Sequence, residues 1–135
     1  MISVIRVRAG TPNPTARKTL ELLRLTKVNH CILLEETPAI MGMVQACKDY
    51  ITWGVPSEEV VKKMIAKRGE EKKAGGEKGK VKGKKEGVVK KKAGPKYPVF
   101  RLSPPRKGWT SIKRQYPEGA LGKRKDMDKL LLRMI

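Results

Sequence analysis

The chain has 135 residues and a formal net charge of +19, with 33% of its residues charged and 4% aromatic. That length holds one modest domain with a small core, and the charge points to a polyanionic partner, nucleic acid or an anionic membrane, rather than a small-molecule substrate. No apolar run approaches the roughly 18 residues of a membrane span, and charges from Arg6 onward argue against a signal peptide, so an intracellular protein without membrane partners is expected.

The charge is uneven. Residues 1–66 carry 9 Lys/Arg against 6 Asp/Glu, a net of +3, whereas residues 67–135 carry 23 against 7, a net of +16. "ISVIRVR" opens the chain with Ile2, Val4 and Arg6 alternating against Ser3, Ile5 and Val7, and its β-branched content predicts a strand buried on at least one face. "GTPNPTARKTLELLRLTKV" then predicts a basic amphipathic helix. Asn13 is its N-cap, Pro14 tolerates the first helical position, and Ala16, Leu20 and Leu23 form one apolar stripe. "NHCILLEE" is a second, inner strand. In "TPAIMGMVQACKDYI" the residues Ile40, Met43, Val44, Cys47 and Ile51 lie at helical spacing. "TWGVP" reads as a short strand or turn. "SEEVVKKMIAKRG" is a third helix, with Ser57 as cap, Glu58 and Glu59 at its positive end and cations at its close.

Residues 67–96 hold 13 Lys/Arg, 4 Glu, repeated glycines and no apolar side chain larger than Val. Such a composition buries too little surface to offset the entropy of ordering. In "YPVFRLSPPRKGW" the prolines exclude a central strand, although "VFRL" fits a sheet edge. "DMDKLLLRMI" predicts a short terminal helix capped by Asp126 or Asp128, with Met127, Leu130, Leu131 and Met134 on one side. The expected division is a compact domain over 1–68, a Lys/Gly-rich linker over 69–96 and a basic arm over 97–135 whose apolar residues are few and scattered.

The single histidine, His30, precedes Cys31. Strand alternation sends the two side chains to opposite faces, which argues against a joint nucleophilic or metal-binding role. Cys31 and Cys47 are expected to be reduced and buried, and the sequence predicts no metal and no cofactor. No phosphate-binding glycine loop and no Ser/His/Asp set is present. By contrast, "FRLSPPRKGWTSIKRQYPEGALGKRK" interleaves Trp109 and Tyr116 among cations and prolines, a pattern suited to irregular folded RNA on whose bases aromatic rings stack. The competing class is a chromatin-type protein that binds DNA without sequence preference.

Taken together, "RLTKVNHCILLEETPAIMGMVQACKDYITWG", "PVFRLSPPRKGWTSIKR" and "EGALG" resemble the archaeal and eukaryotic branch of the large-subunit ribosomal protein thirty family, called protein seven in eukaryotes. The match covers residues 1–69 and 97–135. The resemblance implies an α+β fold, a small β-α-β-α-β domain whose antiparallel sheet is backed by helices, extended by a basic C-terminal arm that ends in a short helix. It implies a structural role on large-subunit rRNA near 5S rRNA, among neighbouring ribosomal proteins in the cytoplasm. It also implies RNA contacts at Thr11, Arg17, Lys18, Lys27, Asn29, His30, Thr37 and Gly42. Arg8 and Arg24 in the first half, and Arg101, Arg106, Lys107, Trp109, Lys113, Arg114, Lys123 and Arg124 in the second, complete the candidate RNA-binding set. Two departures stand out: residues 70–95 are shorter and richer in Lys and Gly than the partly helical insert expected of relatives, and Ser103 replaces the more usual His before "PPR".

Overall fold

The structure is a computed structural model that describes residues 1–10, 12–68 and 99–135. Thr11 and the Lys/Gly-rich segment 69–96 lie outside the described residues.

Strand β1 (Ile2–Arg6) has all five residues buried, which requires cover on both edges and both faces. Its edges are covered by antiparallel pairing with β2 (His30–Leu34) and with β3 (Ile51–Gly54), in registers that set Val4 opposite both Ile32 and Trp53. Two short strands close the sheet. β4 (Phe100–Arg101) pairs antiparallel with β2, and β5 (Gly122–Lys123) pairs parallel with β3, giving the order β4-β2-β1-β3-β5.

The alternation of β1 sorts the core into two layers. On one face Ile2, Val4, Ile32, Leu34, Ile51 and Trp53 pack with Ala16 and Leu20 of helix α1 (Pro14–Leu22), with Leu23 after it, and with Val44 of α2 (Pro38–Ala46). On the other face Ile5, Cys31 and Leu33 pack with Val60 and Met64 of α3 (Glu58–Arg68), with Phe100, and with Met127, Leu130, Leu131 and Met134 of α4 (Met127–Met134). The α+β class, the edge position of "VFRL" and the buried stripe of the terminal helix therefore stand as expected. The apolar residues of 99–135 are not scattered: six of them, Phe100, Leu102, Met127, Leu130, Leu131 and Met134, complete the second layer. At about 1.5–3 kcal/mol for each large apolar side chain, those six contribute on the order of 10 kcal/mol of burial.

Local chemistry fixes the ends of the elements. α1 begins at Pro14 after Asn13, whose side chain makes no capping bond. It stops in a Schellman turn, where Leu25 N–H donates to Leu20 O (2.8 Å) and Arg24 N–H to Glu21 O (2.9 Å), with Arg24 in the left-handed region at φ 58°. Thr37 Oγ1 caps α2 by accepting from Ile40 N–H at 3.3 Å. α2 ends at Ala46, and Cys47 follows it as a buried C-cap. Ile51, expected on the helix stripe, stands in β3 instead, because the turn at 47–50 swings the chain back into the sheet. Asp126 precedes α4 without a side-chain cap, while Asp128 Oδ1 accepts from Ser57 N–H at 2.8 Å and ties the start of α4 to the start of α3. Gly54 is where α4 meets the sheet: a Cβ there would stand 2.5 Å from the Arg124 carbonyl oxygen. Among the described residues no helix is long and apolar enough to cross a membrane.

Candidate nucleic-acid interface

β1 ends at Arg6, β2 begins at His30 and β3 begins at Ile51, so all three termini share one end of the sheet. β4 leaves the sheet there too, since Arg101 pairs with His30 and Leu102 N–H donates to Asn29 O. The cations of several separate segments meet at this end.

Arg6 organises it from inside. Its side chain is buried, and Nη1 donates to Leu25 O at 2.9 Å and Thr26 O at 2.6 Å, while its own carbonyl accepts from Asn29 N–H at 2.8 Å. A charged donor shared by two carbonyls is strong and directional. It holds the 24–29 loop, with Asn29 at φ 63°, against the sheet. His30 stands in the fields of Arg101, Lys27 and Arg6, which together with burial, the larger cause, hold its imidazole below the usual range; the Arg24 backbone beside it acts in the opposite direction. Asn29 Oδ1 and His30 Nδ1 are buried without a hydrogen-bond partner. Arg24, Lys27 and Arg101 are exposed around this loop.

The same end continues along β1. Arg8 lies over the Tyr50 ring at 5.7 Å, and the backbone N–H groups of Val7 and Arg8 both donate to Tyr50 O. A cleft of about 370 Å³ opens between this strand end and α1, lined by Arg6, Gly10, Pro12, Arg17, Leu20, Glu21 and Thr26. Arg17 pairs with Glu21 at 3.2 Å on its rim, and Lys18 is exposed beside it in sequence.

The "PPRKG" turn arrives here as well. Ser103 and Arg106 N–H groups donate to the Met134 and Arg133 carbonyls at the end of α4, and the Arg133 guanidinium donates to the Arg106 and Gly108 carbonyls. Lys107 and Gly108 take φ 69° and 71°, a reversal that leaves Arg106 and Lys107 exposed. Arg68 donates to Ser103 Oγ at 2.6 Å, so the serine at that position engages the last residue of α3. Trp109 is half-buried between the second core layer and the Val7, Ala120 and Leu121 cluster, a wedge more than a free stacking platform.

Four groups of sequence candidates stand apart. Thr37 lies beyond the opposite end of the sheet, after Leu34, with its hydroxyl used as a cap. Gly42 is exposed in mid-α2 with nothing within 4 Å of a Cβ built there. Lys113, Arg114 and Lys123 are exposed along the β5 side, with Arg114 paired to Glu118 at 3.2 Å. Arg124 is turned inward: it stacks on Tyr116 at 5.2 Å, Nη2 donates to Ala120 O at 3.4 Å, Nε is buried, and burial lowers its pKa. Arg6, by contrast, was absent from the candidate set. Its signal was an arginine at a core-facing position of an apolar alternation.

Cys31 is fully buried, and burial pushes its thiol well above the ordinary range. Among the described residues no group of three or more His, Cys, Asp or Glu side chains could hold a metal ion.

Comparison with known proteins gives a consistent picture. Residues 2–51 match the family of ribosomal protein L30p/L7e. The chain is similar to large ribosomal subunit protein uL30 of Methanosphaera stadtmanae, at 37% identity with all of both chains covered. It is similar to uL30 of Archaeoglobus fulgidus at 36% identity over 99% of each chain, and to uL30 of Thermoplasma volcanium at 35% over all of this chain and 93% of the relative. Each of these alignments runs to 153 positions, more than the 135 residues of this chain, so the relatives carry residues that it lacks.

Proposed function

Because the chain belongs to the ribosomal protein L30p/L7e family, we propose that it is a structural constituent of the large ribosomal subunit in the cytoplasm. On this reading it binds folded rRNA through the basic end of its sheet, on the side of the subunit that holds 5S rRNA. The observation that carries the reading is the convergence of Arg101, Lys27 and Arg6 on His30, with Arg8, Arg17, Arg24, Arg106 and Lys107 around the same end. Cations held by a folded scaffold match an irregular phosphate surface without a backbone-ordering cost at the moment of binding. The position near 5S rRNA rests on the resemblance of the "VNH", "TP" and "PPRKG" segments.

As a member of a ribosomal-protein family the chain is a structural protein and not an enzyme. Among the described residues the cations around His30 gather at one end of a sheet instead of along a regular helix, which supports the rRNA reading over the DNA-compacting alternative. Titration of the full-length chain against folded large-subunit rRNA fragments, 5S rRNA and duplex DNA of equal length tests the assignment. Engagement of roughly eight phosphates gives a slope of log affinity against log salt near −6 to −7. A folded rRNA fragment should bind at least about tenfold more tightly than the duplex at about 0.15 M salt, a difference of about 1.4 kcal/mol. Equal affinity for both would remove the rRNA reading, and crosslinks in purified subunits that avoid 5S rRNA and its surroundings would remove the finer placement.

A further inference from the structure

The cleft beside α1 combines apolar and charged walls. Its innermost side chains are Leu20 and Arg6, 1% and 9% exposed, while Arg17, Glu21 and Thr26 stand exposed at its mouth and Pro12 is half-buried in its wall. Arg6 Nε donates to Arg8 O at 3.4 Å and Nη1 to Leu25 O and Thr26 O, which leaves Nη2 without a partner among the described residues. No ion pair of the described residues includes Arg6. The carboxylate that lines the cleft, Glu21, is held by Arg17 at 3.2 Å instead. A guanidinium nine-tenths buried and offset only by carbonyl dipoles keeps part of its desolvation cost until a further acceptor or an anion reaches it. The Arg17–Glu21 pair is different: it is exposed, spans one helical turn and is worth little. It opens readily for a ligand that offers both partners something better.

The geometry points to one unpaired nucleotide of the rRNA as the occupant: its base inserts over Leu20 and Pro12 with an acceptor edge toward Arg6 Nη2, and its phosphate stays at the mouth with Arg17. The volume of about 370 Å³ is in the range of small-ligand sites, about 300–1,000 Å³, and holds one such unit but not a duplex. A base suits each wall, since its flat faces bury against apolar and guanidinium groups while its ring nitrogens and carbonyls accept hydrogen bonds. Glu21, released by Arg17, accepts from a base amino group or from the 2′-OH, a donor that DNA lacks. A bare phosphate would leave Leu20 and Pro12 uncovered, and a purely apolar ligand would leave Arg6 uncompensated. The inference rests on the rRNA reading above and deepens it. Scaffold cations bind phosphates of any sequence, whereas this cleft selects an RNA segment with a base free to leave its stack.

The test uses the full-length chain and the large-subunit rRNA fragment that it binds. The fluorescent analogue 2-aminopurine, or pyrrolocytosine for pyrimidines, replaces each unpaired base of the fragment in turn. Both brighten when a base leaves its stack, and no aromatic ring of the described residues lines the cleft to quench them. One position should brighten severalfold on binding. Thr26→Trp fills the cleft from the loop side and Glu21→Trp from α1, so that one remains informative if the other fails to fold. Each should abolish that signal and weaken binding at least about fivefold. A native chain that binds the fragment while no position brightens would overturn the inference and leave the rRNA reading standing. So would a bright position that survives in both variants, or variants that bind as tightly as the native chain. A free nucleoside monophosphate that binds as tightly as the fragment would make this a site for a soluble ligand and overturn the inference too. Equal affinity of the native chain for the fragment and for duplex DNA would remove the rRNA reading, and the inference with it.

Discussion

Arg24 occupies a position that favours glycine. It is the left-handed residue of the Schellman turn after α1, and a side chain in that region costs on the order of 1 kcal/mol. Strain kept at an exposed cation beside His30 fits a residue selected for its charge, since persistent backbone strain tends to mark functional positions. Arg24→Gly should therefore raise stability by about 0.5–1 kcal/mol in urea denaturation while weakening rRNA binding severalfold. A variant that loses stability, or that keeps full RNA affinity, would show the arginine to be structural only. His30 gives a second prediction, with opposite signs in the two states. Its imidazole is held below the ordinary value in the folded protein, so the unfolded chain takes up the proton first. Its contribution to stability is present above the unfolded pKa near 6.5 and is lost as pH falls through the lower folded value. Phosphate at the same site favours the imidazolium, so RNA affinity should rise as pH falls over that window. His30→Gln should flatten both dependences, measured by melting at several pH values and by RNA titration. The separation of His30 from Cys31 was legible from alternation alone. The buried role of Arg6 was not, because which carbonyls it would meet depends on where the 24–29 loop folds back.

At the scale of elements, periodicity read well where an element buries one face and poorly where contact is brief. The stripe Ala16, Leu20 and Leu23 and the stripe Met127, Leu130, Leu131 and Met134 are both buried as their spacing implies. β4 and β5 each have two residues, too few to show alternation, and "EGALG" gave no strand signal even though Gly122 pairs with Thr52. Thr52 Oγ1 reinforces that pairing by donating to Gly122 O at 3.0 Å, a contact between residues 70 positions apart that no local pattern encodes. Gly54 shows the same dependence on distant chain. Its hydrogen leaves room for the Arg124 carbonyl, which is backbone and fixed by Arg124 N–H donating to Trp53 O at 2.8 Å. Gly54→Ala should cost about 1–3 kcal/mol through displacement of β5 and the start of α4. A melting temperature unchanged from that of the native chain would show that this junction gives way freely. Gly42 makes the contrasting case: Gly42→Ala removes a helix penalty of about 1 kcal/mol and meets no atom of the protein. A gain in stability coupled to a loss in subunit incorporation would mean that the glycine serves a close approach from outside.

For the whole molecule the sequence suggested a division at residue 68, because charge changes so sharply there. Charge reports on partners, however, and the core is decided by apolar area. Residues 1–68 alone would leave Ile5, Cys31, Leu33, Val60 and Met64 facing water where Phe100, Leu102 and α4 now cover them. The missing burial, on the order of 10 kcal/mol, is comparable to the whole stability of a small domain, about 5–15 kcal/mol. A chain ended after Arg68 should therefore be unfolded or loosely packed, with broad thermal melting, whereas adding back residues 99–135 as a separate polypeptide should restore a cooperative transition. The native hydrogen bonds from Ser57 to Asp128 and from Arg68 to Ser103 would be recovered at that junction. Leu130→Ala in the full chain gives a graded form of the same test, with an expected loss of about 2–5 kcal/mol. If residues 1–68 melt cooperatively without their partner segment, and Leu130→Ala changes stability by less than about 0.5 kcal/mol, then the second core layer adds little, and the basic C-terminal segment is an appendage after all.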